Sequence, residues 1–179
     1  MRFIISIAVN FGYAYRLWRI MKNLYKISDV IFEIEYNYKL SNVILEPYLY
    51  TGTDTASEFI TVTPEDVKYE LSIAETTEPA IIESGCILRK YAEICLTKYN
   101  ALVFHASAVK YNGGAYLFTA TSGTGKSTHT WLLKEYLGDK IEFINDDKPT
   151  VKFNENGDII VYGNPWCGKH LRGDNIFGK

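Results

Sequence analysis

Residues 120–127 read Ala-Thr-Ser-Gly-Thr-Gly-Lys-Ser, and these types at this spacing are suited to holding phosphate. They follow the P-loop pattern G-x-x-x-x-G-K-[ST], with Ala120 in place of the first glycine. Gly123 and Gly125 let the backbone take positive φ and bring its N–H groups against phosphate oxygens. The positive end of the following helix strengthens that cradle. Lys126 supplies a mobile point charge for β and γ phosphates, and Ser127 offers a hydroxyl to Mg²⁺. The stretch follows an apolar strand and opens a helix, which is the context such a loop requires. A Ser/Gly-rich turn with no ligand is the plain alternative.

Other reactive side chains surround this stretch in the sequence. Asp146-Asp147 end the next apolar run, where carboxylates would serve Mg²⁺ or an attacking hydroxyl. An exposed turn pair is the simpler reading of the same residues. His105 lies inside an apolar, strand-like run, and most histidines so placed are satisfied core residues. His129, one turn beyond Lys126, is expected to pack or cap locally. His170 shares a Gly-, Pro- and Trp-bearing loop with Lys169 and Arg172. A solvated basic loop and a phosphate contact both remain open there.

The elements that must position these residues can be read from periodicity. Residues 29–73 predict β structure, with strands at 30–36, 59–63 and 67–73 that are rich in β-branched and aromatic side chains. Residues 80–99 predict a helix, with Leu88, Ala92, Cys95 and Tyr99 on one face and Lys90, Glu93 and Thr97 opposite. Cys95 then reads as a small buried hydrophobe. Runs at 102–109 and 115–120 flank Asn112-Gly113-Gly114, a hairpin signal. A helix from the loop to Leu137 should stop at Gly138. A strand at 141–145 and a second hairpin, 151–153 with 159–162 turning at Asn156-Gly157, follow.

Composition narrows the function classes. Of 179 residues, 47% are apolar and 15% aromatic, enough to bury a core and to exclude a disordered chain. Lys and Arg total 19 against 21 Asp and Glu, so no basic excess exists to bind a nucleic-acid backbone. Cys86, Cys95 and Cys167 show no CxxC spacing, which argues against a disulfide framework or zinc site and makes a reducing cytoplasm the default. The apolar run at 3–9 is too short and too soon interrupted by Asn10, Arg16 and Arg19 to span a membrane. It is expected to pack on the body as a helix or strand.

Residues 101–170 resemble the P-loop kinases of the HPr serine kinase/phosphorylase and ATP-dependent phosphoenolpyruvate carboxykinase superfamily. The loop Thr121-Ser122-Gly123-Thr124-Gly125-Lys126-Ser127 fits that family's G-x-S-G-x-G-K-[ST] apart from Ala120. His105 in Phe104-His-Ala-Ser-Ala108 matches a histidine upstream of the hairpin, and Asp146-Asp147 match an acidic pair. The resemblance implies an α/β fold with a P-loop kinase core, incomplete, at 101–179; the patterning before it adds a mostly β N-terminal region at 1–78 and a connecting helix at 79–100. It also implies transfer of the γ-phosphoryl group of ATP, with Mg²⁺, to a hydroxyl on a protein or peptide. Thr121, Ser122, Gly123, Thr124, Gly125, Lys126, Ser127 and Thr128 would bind the nucleotide. Ser127, Asp146 and Asp147 would hold the metal. Lys126, Asp146, Asp147 and His105 would act in catalysis, with Asp147 accepting the hydroxyl proton. No nucleic-acid or membrane partner is expected, and homo-oligomerisation is left open. The family's further acidic ligand and Arg-bearing substrate segment are not located downstream. The short stretch after Ser127 therefore implies a truncated gene product or a fragment of a longer kinase. A non-catalytic nucleotide sensor and a peptide-tailoring kinase are the alternatives.

Overall fold

The structure, a computed structural model, describes residues 20–179, so the run at 3–9 lies outside the described residues. Strands β1 (Met21–Ile27) and β2 (Val30–Tyr36) pair antiparallel about Ser28-Asp29, whose φ values are 52° and 64°. Alternation along β2 buries Val30, Phe32, Ile34 and Tyr36 on one face. Strand β3 (Glu58–Ile60) lies parallel beside it. Between β2 and β3 stands helix α1 (Lys39–Leu45), whose N-cap residue Tyr38 offers no capping side chain. Glu83, from a distant helix, instead ties down the chain entering α1. Its carboxylate accepts from Asn37 N at 2.6 Å, Tyr38 N at 3.0 Å and Ser41 Oγ at 2.8 Å.

The expected strand at 67–73 is instead the C-terminal part of helix α2 (Pro64–Ile73). Thr63 and Asp66 form a reciprocal capping box and Pro64 takes the first helical position, and these local signals override the alternation of Val67, Tyr69 and Leu71. The strand expected at 59–63 ends early for the same reason, since Thr63 is the N-cap. Residues 29–73 are thus mixed α/β rather than β throughout. Helix α3 (Pro79–Lys98) matches its expected bounds to one residue, but its buried face is rotated: it buries Ile82, Cys86, Ile87, Tyr91 and Cys95, while Leu88, Ala92 and Tyr99 are only half-buried.

Four short strands then form two further sheets together with three later ones. Strand β4 (Ala101–Val103) ends before His105, and β5 (Ser107–Tyr111) begins after it. His105 is therefore in a break, not inside a strand, because β4 and β5 belong to different sheets. Strand β6 (Gly114–Phe118) returns through Asn112-Gly113, both at positive φ as a type I′ hairpin requires. Helix α4 (Lys126–Leu137) stops at Gly138, φ 62°, and leads to β7 (Ile141–Asn145). The hairpin β8 (Thr150–Phe153) and β9 (Ile159–Tyr162) and a last strand, β10 (Phe177–Gly178), complete the chain. One sheet has the order β10-β9-β8-β4 and the other β6-β5-β7. Among the described residues no helix is long and apolar enough to cross a membrane.

One buried cluster runs through all three expected regions: Tyr25, Phe32 and Leu45, then Ile87 and Tyr91, then Ala101 and Trp166. A smaller cluster of Ala108, Ile144, Val151 and Val161 supports the sheet that carries the glycine-rich loop.

Candidate functional site

Topology brings the sequence-distant candidates to one edge. Strand β5 is antiparallel to both β6 and β7, so β6 and β7 run parallel with β5 between them. The C-terminal ends of β6 and β7 and the N-terminal end of β5 therefore share a sheet edge. From that edge leave the glycine-rich loop, Asp146-Asp147 and His105.

The loop enters α4 through Gly125, at φ 94° and ψ 19°, and no side chain caps the helix there. Gly123 is at φ 81°. A Cβ at either position would meet nothing within 4 Å, so the demand for glycine is conformational. An L-residue there would cost about 1–2 kcal/mol. Ala120 keeps a negative φ, and a first-position glycine is not needed in this backbone. Lys126 Nζ donates to the carbonyls of Ala120 at 2.9 Å and Thr121 at 3.2 Å, spanning the loop. Thr124 Oγ1 donates to Thr121 O at 2.8 Å.

The two aspartates have different surroundings. Asp146 is 4% exposed. Its Oδ1 accepts from Ser107 Oγ at 2.6 Å and Thr130 Oγ1 at 3.4 Å, while Arg172 Nη1 stands 3.9 Å from Oδ2. Asp147 is more open. Its carboxylate contacts Lys148 Nζ, and His105 Nε2 lies 3.4 Å away. The turn that presents Asp147 is held by buried Asn145, whose Oδ1 accepts from the N–H groups of Asp147 and Lys148 at 2.9 and 2.7 Å. The Asn145 amide in turn donates to Asn164 O and Oδ1, both at 3.1 Å.

These groups line one cleft of about 530 Å³. Its wall carries His105, Lys126, Ser127, Asp146, Asp147 and His170, with Ser122, Gly123, Gly125, Thr128 and Lys169 also facing it. His170 and Lys169 thus join the loop and the acids. His129 points elsewhere, its ring 4.8 Å from that of Phe118. Thr121 is tied to the loop through its carbonyl.

Ser107, Thr130, Asn145 and Asn164 also build the site, and sequence periodicity gave no sign of their roles; Arg172, expected only as part of the basic loop, stands beside Asp146. Arg172 is seated near Trp131 and Phe143, 6.0 and 5.9 Å from the ring centroids, and its carbonyl accepts from Asp146 N at 2.9 Å. Cys167, beside the cleft, is buried. Burial pushes its thiol up, and the nearby carboxylates of Asp146, Asp147 and Asp174 add to this, so it packs rather than reacts.

Among the described residues no cluster of three or more His, Cys, Asp or Glu side chains could hold a metal unaided. Three hydroxyls, two carboxylates, four basic side chains and a positive-φ glycine loop in one cleft can bind a polyanion and present a base beside it. A scan against protein-family models matches no family, and searches of curated proteins and of solved structures find no match either.

Proposed function

We propose that the chain binds ATP with Mg²⁺ in this cleft and transfers the γ-phosphoryl group to a hydroxyl of a protein or peptide, in the manner of the HPr kinase-like family. The observation that carries the reading is the meeting, in one cleft, of Lys126 and Ser127 at the start of α4 with Asp147 and His105 at the same sheet edge. The donor set fits Mg²⁺, which characteristically takes one or two carboxylates together with phosphate oxygens. Ser127, Asp146 and Asp147 would hold it, and when bound it supplies charge that neutralises the phosphate oxygens.

The chain's own residues would work chiefly by positioning and charge, because phosphoryl transfer has a loose transition state. Backbone N–H groups at the Gly123–Gly125 turn and the N-terminus of α4 hold the phosphates. Lys126 stabilises charge on the transferring group. Asp147 accepts the acceptor's proton, oriented by His105 and by the Asn145 turn. Asp146, anchored by Ser107, Thr130 and Arg172, fixes the floor of the cleft against Ser127.

A sensor that binds nucleotide without transfer is the second reading, favoured by the bonds and the guanidinium that already engage Asp146. Incubation with γ-labelled ATP, Mg²⁺ and hydroxyl-bearing peptides separates the two. Label on a peptide supports the kinase, and ATP binding with no label supports the sensor. Absence of ATP binding would defeat both.

A further inference from the structure

A second groove, of about 490 Å³, adjoins the first and shares Gly125 and Lys126 with it. Its wall is formed by Leu117, Phe118, Thr119, Thr124 and His129, none of which lines the acidic cleft. Strand β6, which carries Leu117 and Phe118, is the edge strand, and β7 with its acids lies beyond β5 on the other side. The two cavities therefore open on opposite sides of the glycine-rich loop.

A phosphate chain lying across Gly125 and Lys126 has one end toward each cavity. The end that is transferred belongs with Asp147 and His105. The other end, which carries the nucleoside, must leave over Phe118 and His129. Those rings stand 4.8 Å apart at 60° and form an aromatic wall beside the loop. Such a wall suits a nucleobase, because stacking on an aromatic face needs no particular base edge. The nearby hydroxyl protons are already engaged, Thr119 Oγ1 with His105 O at 3.4 Å and Thr124 Oγ1 with Thr121 O at 2.8 Å. They offer no dedicated donor for reading one base.

We infer that the Phe118–His129 groove is the nucleobase subsite, that it holds the base by stacking, and that it accepts purine nucleotides with little regard to the base. This rests on the phosphate-binding reading of the loop. The test compares Mg·ADP with Mg·tripolyphosphate, which has the phosphates and no base, by isothermal titration of the whole chain. Wild type should bind both. Phe118→Ala and His129→Ala should each weaken ADP about tenfold, as loss of one stacking partner does, and leave tripolyphosphate within twofold. His129 is exposed, so that variant decides the matter alone should Phe118→Ala fail to fold. If both probes bind wild type and neither variant weakens ADP, the subsite falls while the phosphate-binding reading stands. Equal weakening of both probes would also overturn it, since the rings would then merely support the loop. If wild type binds neither probe, the proposed function falls and the inference with it. GDP should bind within about threefold of ADP, and any larger preference overturns the base-tolerant reading.

Discussion

Gly168 packs beside the side chain on which the proposed proton transfer depends. Its φ is 77°, and a Cβ there would lie 3.0 Å from Asp147 Cβ, so both conformation and close approach call for glycine. Gly168→Ala should lower stability by about 1–2 kcal/mol in urea denaturation. It should also reduce labelled-phosphate transfer far more than nucleotide affinity, because the loop that holds the phosphates is not displaced. Transfer at the wild-type rate would show that Asp147 needs no fixed position. The loop residues were legible in the sequence because their constraints are local: Gly123, Gly125, Lys126 and Ser127 act within one turn of chain. The partners of Asp146 were not. Ser107, Thr130 and Arg172 meet it only after the sheet edge forms, and Asn164 reaches the turn through Asn145; bonds between residues so distant leave no periodic trace.

Helix α2 shows how a cap outranks a pattern. The alternation at 67–73 favoured a strand, yet the Thr63–Asp66 box starts a helix whose side chains remain half-buried or exposed. Its hold on α3 centres on Asp66, which receives Arg89 Nη2 at 2.6 Å, Lys90 Nζ at 2.7 Å and Thr63 N at 2.8 Å. Burial acts to raise this carboxyl's pKa, but the bonds from Lys90, Thr63 and Arg89 hold it well below the usual carboxylate range. A folded-state pKa below the unfolded value gives stability that is present above the unfolded pKa and lost as pH falls through the folded one. With the unfolded pKa at about 3.9, the contribution is full near neutrality and fades below about pH 4. Asp66→Asn should therefore cost about 1–2 kcal/mol at pH 7. The gap from wild type should shrink as urea melts are repeated below pH 4. A gap that stays constant through that range would contradict the assignment.

At the scale of the molecule, Tyr91 joins segments that the sequence divides. Its hydroxyl lies 2.8 Å from both Ser28 Oγ and Thr150 Oγ1, and its ring packs on Phe32 and Trp166 at 5.4 Å. Strand β2, helix α3 and the chain after β9 thus share one core, which the expected division at residues 78 and 100 does not convey. Tyr91→Phe should cost about 1–3 kcal/mol, because Ser28 and Thr150 each lose a buried partner. Far-UV circular dichroism and tryptophan fluorescence should shift together in that variant, as one cooperative unit requires. Separate transitions would refute a shared core. Helices α3 and α4, the hairpins turning at Asn112-Gly113 and Asn156-Gly157 and the glycine loop follow from local pattern. Helices α1 and α2 do not, and the joining of three sheets depends on contacts between residues far apart in the chain. The proposed function depends most on Lys126, the flexible cation of the loop. Its most direct test is titration of Mg·ATP into wild type and Lys126→Ala, with transfer of labelled phosphate measured in parallel. Removing the charge should weaken binding modestly, since the backbone cradle survives. Transfer should fall by orders of magnitude, because charge on the moving group is stabilised more in the transition state than in the ground state. Binding and transfer both unchanged in Lys126→Ala would contradict the account.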